Sequence, residues 1–167
     1  MQAGHPAGWA DADLLAECSV QRLRRSGPGG QHRNKVETAV RMRHLPTQVT
    51  VEASERRSQK ENGKVALARL RVQLALSIRQ PAADAPSQSW QSRLQGRRIS
   101  VSRQHVEFPG LLAEALDVLH GFDFDLSHAA SRLGCSNSQL IRFLKLEPQA
   151  LARVNSERAQ RGLRMLR

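Results

Sequence analysis

SGPGGQHRNKVETAVRMRHLP occupies residues 26–46 and RSQKENGKVALARLRVQL residues 57–74. The first opens with three glycines and a proline in six positions, 26–31, a composition in which no regular element survives. Thr38 to Leu45 then alternates. Val40, Met42 and His44 fall on one face and Arg41 and Arg43 on the other, which reads as a strand with one buried side. Pro46-Thr47-Gln48 is a turn and Val49 to Ala53 a second strand, so 38–53 reads as a hairpin. Upstream, Val20 to Arg25 alternates well enough for another strand. Ser58 and Glu61 make a capping box that opens a helix running to about Ile78. Val65, Leu67, Ala68, Leu70, Val72, Leu74 and Ala75 supply its apolar stripe, with Lys64, Arg69, Arg71 and Arg79 as a basic margin. The expected fold is α+β: a small, mainly antiparallel sheet with a packed helix and an exposed glycine-rich loop.

Outward from this centre the pattern changes. Residues 1–10 read as a loose arm, and Asp11 or Asp13 can cap a short helix through Leu14, Leu15 and Cys18. Residues 80–92 are rich in Pro, Ala, Ser and Gln, a linker composition. RLQGRRISVSR, residues 93–103, is basic and reads equally as a strand, an ordered arm or a disordered tail. From Phe108 the chain becomes helical. Pro109 suits the first turn of a helix that buries Leu111, Leu112, Ala115, Leu116 and Leu119 and ends at Gly121. Asp125 can cap a second helix ended by Gly134, Ser136 and Gln139 open a third, and Pro148 a last one that turns basic toward Arg167. HAASRLGCSNSQLIRFLK, residues 128–145, has the shape of a helix-turn-helix. Asn137, Gln139, Arg142 and Lys145 stand exposed on one reading; on the other, Leu126, Leu133, Leu140 and Leu144 simply hold a bundle. Plain packing with some contact to a polyanionic partner is favoured over specific DNA reading. The expected organisation is an arm over 1–18, a loop-bearing domain over 19–79, a linker with a basic stretch over 80–107, and a small all-helical module over 108–167.

The chain's 167 residues are 40% apolar, enough for a packed core that would be modest if shared between two modules. The net charge of +11 favours a polyanionic partner. It is unevenly spread: residues 19–79 hold 14 basic and 4 acidic side chains, whereas 108–167 hold 8 and 6. The polyanion site is therefore expected in the first half. Cys18 and Cys135 form no CxxC pair and the six histidines are scattered, so neither a metal site nor a cofactor is expected. Free thiols in a reducing compartment are the default. No basic region followed by an apolar run opens the chain, and no apolar stretch reaches membrane-spanning length. A cytoplasmic monomer that makes no use of a membrane is expected.

The glycine-rich segment suggests a chemistry by what it holds and what it lacks. Small residues flanked by Arg24, Arg25, Arg33 and Lys35 can enter a narrow, negatively charged space. Bare backbone offers N–H donors for an oxyanion developing on a carbonyl. Gln31 can position water or exclude competing nucleophiles. No Ser, Cys or carboxylate with a base beside it is presented, which argues against covalent catalysis by the protein.

At this point the residues meet a family. SGPGGQHRNKVETAVRMRHLP followed by RSQKENGKVALARLRVQL resembles the catalytic domain of class I peptide chain release factors and their codon-independent relatives, the peptidyl-tRNA hydrolases that rescue stalled ribosomes. The resemblance covers about residues 19–78 and combines the GGQ tripeptide, the Asn-Lys pair, the Ala-Val-Arg strand, the His-Leu-Pro-Thr turn and the Arg-Ser-Gln helix start. It implies a loop that enters the peptidyl-transferase centre of the large ribosomal subunit. Gly29, Gly30 and Gln31 would be catalytic there, the Gln31 N–H stabilising the transition state or leaving group, with Ser26, Gly27 and Pro28 setting the loop's entry. Arg57, Ser58 and Gln59 match the helix start, read as structural. Arg24, Arg25, Arg33, Lys35, Arg57, Lys60, Lys64, Arg97 and Arg98 would bind ribosomal RNA phosphates, where position matters more than base identity. Peptidyl-tRNA is the implied substrate and the activity a ribosome-dependent carboxylic ester hydrolysis.

The sequence departs from the family pattern in places. Arg33 stands where many members carry an apolar residue, and Gln48 replaces the usual turn Gly. No long region precedes the motif, so stop-codon recognition is not expected. The Lys/Arg-rich tail of rescue factors has as stand-ins only the arginines at 93–103 and a sparse set near 153–167. Two other readings stay open: a ribosome- or RNA-binding factor without turnover, and a regulator that binds nucleic acid through its C-terminal helices. The intact Gly29-Gly30-Gln31 speaks against the first, and the second does not explain why the loop is retained.

Overall fold

The structure is a computed structural model and describes residues 4–23 and 38–167. It divides into two compact units, one comprising residues 9–74 and the other 4–8 with 75–167. Each is taken by itself.

The first unit is a three-stranded antiparallel sheet with a long helix. A short helix, α1 (Asp11–Ala16), leads into β1 (Cys18–Leu23), followed by β2 (Ala39–His44), β3 (Thr50–Ala53) and α2 (Gln59–Ser77), whose last three residues count with the second unit. The order is β1-β2-β3, with Leu23 opposite Ala39 at one end and Cys18 opposite His44 at the other. Along β2, Val40, Met42 and His44 are buried while Arg41 and Arg43 are exposed, the expected alternation. Val51 and Ala53 continue the buried face on β3. Val20 shares that face by register with Met42 yet is 51% exposed, so the covered area stops short of the edge strand.

Helix α2 meets this core through Ala66, Leu70 and Leu74, all fully buried and spaced by four. That stripe is narrower than the one expected: Val65, Leu67 and Val72 are only half-buried and Ala68 is exposed. Arg71 also leaves the basic margin. It is buried and donates to Asp11 Oδ1 at 2.7 Å, because a guanidinium on the covered side needs a carboxylate there. Asp11 therefore does not cap α1; Ala10 holds the cap position, without a side-chain bond, and Cys18 begins β1. The Ser58 side chain accepts from the Glu61 N–H at 3.5 Å, which supports the cap read from sequence. Gln48 has φ +62°, a left-handed position that a glycine would meet without strain.

Asn62 is a polar residue inside this unit. It is fully buried; its Nδ2 donates to Thr38 O at 2.7 Å and to Arg56 O at 2.9 Å, and its Oδ1 accepts from Arg56 N at 2.9 Å. One side chain thus ties the start of β2, the turn after β3 and α2 together. Asn62→Ala orphans all three backbone groups, each worth roughly 1–3 kcal/mol when buried and unpaired. A loss of about 2–4 kcal/mol in urea unfolding is expected; a change within about 0.5 kcal/mol would show that water replaces the amide freely.

The second unit is built around one helix. After α3 (Gln88–Ser92) come a small hairpin, β4 (Leu94–Gln95) and β5 (Arg98–Ile99), then α4 (Phe108–Gly121), α5 (Leu126–Arg132), α6 (Asn137–Lys145) and α7 (Pro148–Gln160). In α4 ten of 14 residues are buried, so it is the element the others surround. The punctuation read from sequence is where the helices start and stop. Pro109 lies in the first turn of α4, Asp125 accepts from His128 N at 2.9 Å, Gly134 takes φ +69° after α5, and Ser136 accepts from Gln139 N at 3.3 Å. The residues with linker composition hold more than a connection. Trp90 is fully buried, donates from Nε1 to Leu133 O at 2.8 Å and meets the Phe143 ring edge-on at 5.3 Å. The basic stretch is the ordered strand among its three readings, with Gly96 at φ +59° opening a two-residue loop.

Residues 4–8 are not loose either. Pro6–Gly8 form a 3-10 turn with Ala7 buried, and Gly8 comes so close to Gly110 that a Cβ on Gly110 would lie 3.1 Å from its Cα. His5 Nδ1 accepts from Ala7 N at 3.1 Å and Nε2 faces Ile78 O at 3.4 Å, an arrangement that needs a neutral ring. Burial lowers the His5 pKa from 6.5 to about 4. Between those values the unfolded chain binds more protons, so this tuck is fully stabilising above about pH 6.5 and is lost as pH falls toward 4. An NMR titration of His5 is expected to show a midpoint well below 6.5; an ordinary midpoint would mean the ring is not held in this way.

Candidate functional site

The first two strands carry the glycine-rich segment between them. β1 ends at Leu23, β2 begins at Ala39, and these two residues are the last pair of the ladder. Residues 24–37 lie outside the described residues, and with them Arg24, Arg25, Ser26, Gly27, Pro28, Gly29, Gly30, Gln31, Arg33 and Lys35. The frame around the two ends is described. Thr38 is tied by Asn62 to Arg56, so the start of α2 lies beside the point where the segment rejoins the sheet. Arg57 and Lys60, both exposed, stand there with no acidic partner among the described residues. Lys64, one turn further, is paired with Glu61 at 3.1 Å, a surface contact of small energetic weight.

Sequence reasoning did not single out two residues of this frame. Asn62 sits in the RSQKEN stretch, but an Asn in a helix reads as surface until its backbone partners are seen. Arg22 is exposed on β1, two residues before the segment, without an acidic partner among the described residues. Its proximity in sequence to Arg24 and Arg25 was the available signal.

Arg97 and Arg98 belong to the other unit, on the β4–β5 hairpin. They differ in what they offer. The Arg97 guanidinium donates to Cys135 O at 3.2 Å, whereas Arg98 is exposed and has no acidic partner among the described residues.

The thiols are poor nucleophiles. Burial pushes Cys135 up to about 11, and burial with the nearby Glu17 charge raises Cys18, whose Sγ donates to Leu14 O at 3.1 Å. His44 is buried, with Nδ1 2.8 Å from Thr47 Oγ1. Its Nε2 is 3.2 Å from a Glu17 carboxylate oxygen without hydrogen-bond alignment. It pins the turn after β2; Cys18, opposite it in the β1–β2 register, directs its Sγ to Leu14 O.

A sheet whose first two strands bracket a glycine-rich segment, backed by a helix that opens Arg57-Ser58-Gln59, defines a class, and the comparison agrees. The chain belongs to the RF-1 domain family, whose sequence model matches residues 15–107, more than half of its length. Among individual proteins, peptide chain release factor 1 of Xylella fastidiosa (strain 9a5c) is 47% identical over 70 residues. That stretch is 42% of this chain and 19% of the release factor, so the similarity covers under a fifth of that relative's length. The family match runs beyond the first unit, through the Trp90 helix and the hairpin to Glu107.

Proposed function

We propose that this protein hydrolyses the ester linking a nascent peptide to tRNA, acting within the ribosome and without reading a stop codon, and so releases peptides from stalled ribosomes. The observation that carries the reading is the RF-1 domain match over the sheet, the helix start and the Gly29-Gly30-Gln31 segment between β1 and β2. In this reading the segment reaches the peptidyl-transferase centre. Backbone N–H groups at Gly29, Gly30 and Gln31 are donors to the developing oxyanion, and the Gln31 side chain shapes the water site. The protein contributes no covalent intermediate, in keeping with the raised thiol pKa values. Arg24, Arg25, Arg33, Lys35, Arg57, Lys60 and Lys64 neutralise ribosomal RNA phosphates around the entry, and Arg97 and Arg98 add contacts from the second unit. The protein acts as a cytoplasmic monomer. Among the described residues no helix is long and apolar enough to cross a membrane.

The experiment is peptide release from ribosomes stalled on a sense codon, with and without the protein. Release of labelled peptide in proportion to added protein supports the hydrolase. Binding that sediments with ribosomes but releases nothing would instead support a factor that has kept the fold without turnover.

A further inference from the structure

In the second unit a groove runs between the β4–β5 hairpin and α6. Its lining includes Arg98, Ile99, Val101, Gln139, Arg142 and Leu146. The hairpin is fixed to the start of α6 by Ser136 N donating to Arg97 O at 3.2 Å and by the Arg97 guanidinium on Cys135 O, so the groove is a built feature of the unit. Its two walls each bring a guanidinium, Arg98 from the hairpin and Arg142 from the helix, both exposed. Lys145 lies three residues beyond Arg142, on the same side of α6, and is exposed too.

The charges around it are one-sided. Among the described residues no carboxylate lines the groove. The acids that come nearest in sequence are engaged elsewhere: Glu107 with Arg93, and Glu147 with Arg103 at 2.8 Å. Arg98, Arg142 and Lys145 have no acidic partner among the described residues, a cluster of cations held apart from neutralisation. Guanidinium forks match phosphate oxygens in geometry as well as charge. Between the cations, Ile99, Val101 and Leu146 are half-buried and offer apolar surface, and the half-buried Gln139 amide adds a donor and an acceptor.

We propose that this groove binds a single-stranded RNA segment, with phosphates on Arg98, Arg142 and Lys145 and a base or sugar against Ile99, Val101 and Leu146. Single-strand binding combines a cationic track along the backbone with surfaces against which bases pack, usually aromatic ones; here that surface is aliphatic, Ile99, Val101 and Leu146. A helix-turn-helix docked in duplex DNA sends its second helix into the major groove. Here the hairpin flanks α6 along Gln139, Arg142, Phe143 and Leu146, which leaves a trough suited to a strand. Half of the groove's lining, Gln139, Arg142, Phe143 and Leu146, lies beyond the RF-1 match, and the inference does not depend on hydrolysis; it would stand if peptide release failed.

The test uses the full chain and a fluorescent oligouridine of about 20 nucleotides, titrated between about 50 and 200 mM salt. Arg98→Ala with Arg142→Ala is expected to weaken binding about tenfold or more and to lower the salt slope by about 1.4, the loss of two single-strand phosphate contacts. Arg164→Ala with Arg167→Ala removes the same charge from the exposed C-terminal end and is expected to change affinity less than about twofold. All four arginines are exposed, and thermal unfolding of both variants serves as the check that the fold is kept. Equal losses from the two pairs would overturn the proposal in favour of diffuse charge. Unchanged affinity and slope on removing Arg98 and Arg142, or tighter binding of a duplex of the same length that those two residues control, would overturn it as well.

Discussion

Gly29→Ala and Gly30→Ala are each expected to abolish peptide release, by at least about 10²-fold, the scale set by removing one preorganised oxyanion donor. The reason is geometric. A donor array made of backbone depends on dihedral angles that glycine reaches and alanine does not, and on an absence of side-chain bulk in a narrow site. The cost falls on the chemical step. Ribosome association and thermal unfolding of the protein are expected to stay close to those of the parent, because neither glycine is assigned a packing or phosphate contact. Single-turnover release at saturating protein separates the two effects, since lost binding is recovered by concentration and a lost transition-state donor is not. Full release by both variants would remove the chemical basis of the assignment.

Trp90→Ala is expected to be the most damaging single substitution in the second unit. The indole is fully buried, and its removal leaves a cavity against Phe143 and an unpaired Leu133 carbonyl. Truncating a buried Trp or Phe to alanine costs about 3–5 kcal/mol, and an orphaned buried acceptor adds about 1–3. That is comparable with the whole stability of a typical domain, about 5–15 kcal/mol. Chemical denaturation is expected to show the transition of this unit lost or moved to much lower denaturant. Stability within about 1 kcal/mol of the parent would mean that residues 80–92 act as the plain connection their composition suggests.

These three substitutions also mark what could be read from the chain. Elements with strong punctuation were legible almost to the residue. Pro109, Asp125, Gly134, Ser136 and Pro148 each act through their own backbone or a neighbour within three positions, so sequence alone carries the signal, whereas Gly121 lies inside α4 and the left-handed residues after it are Asp123 and Phe124. Thr38 to Ala53 was legible because period-two alternation survives in β2 and β3. Long-range pairing was not. Arg71 looked like surface because its partner, Asp11, is 60 residues away, and Asn62 gave no sign that Thr38 would need its amide. Trp90 was hidden by averaging: one aromatic among Pro, Ala, Ser and Gln does not change the composition of a stretch. The hairpin at 94–99 was one of three readings because strands of two residues are too short to show a period.

The glycine-rich segment shows the opposite balance. Its motif is a matter of residue types and spacing alone: small residues, one amide and flanking cations in a fixed order. The structure adds the frame: the closing pair Leu23–Ala39, the Asn62 tie at Thr38, and exposed Arg57 and Lys60 at the helix start. The groove beside α6 joins residues 98–101 to residues 139–146, a juxtaposition that only the packing of the hairpin on the helix reveals.

The most direct test of the central claim is the rate of peptide release on three otherwise identical ribosome complexes carrying labelled peptidyl-tRNA in the P site. One has no codon in the A site because the message is truncated there, one carries a sense codon, and one carries UAA, UAG or UGA. The account predicts protein-dependent release from the truncated complex at a rate no lower than from the stop-codon complex, and loss of that release with Gly30→Ala. Release confined to the stop-codon complex would contradict it.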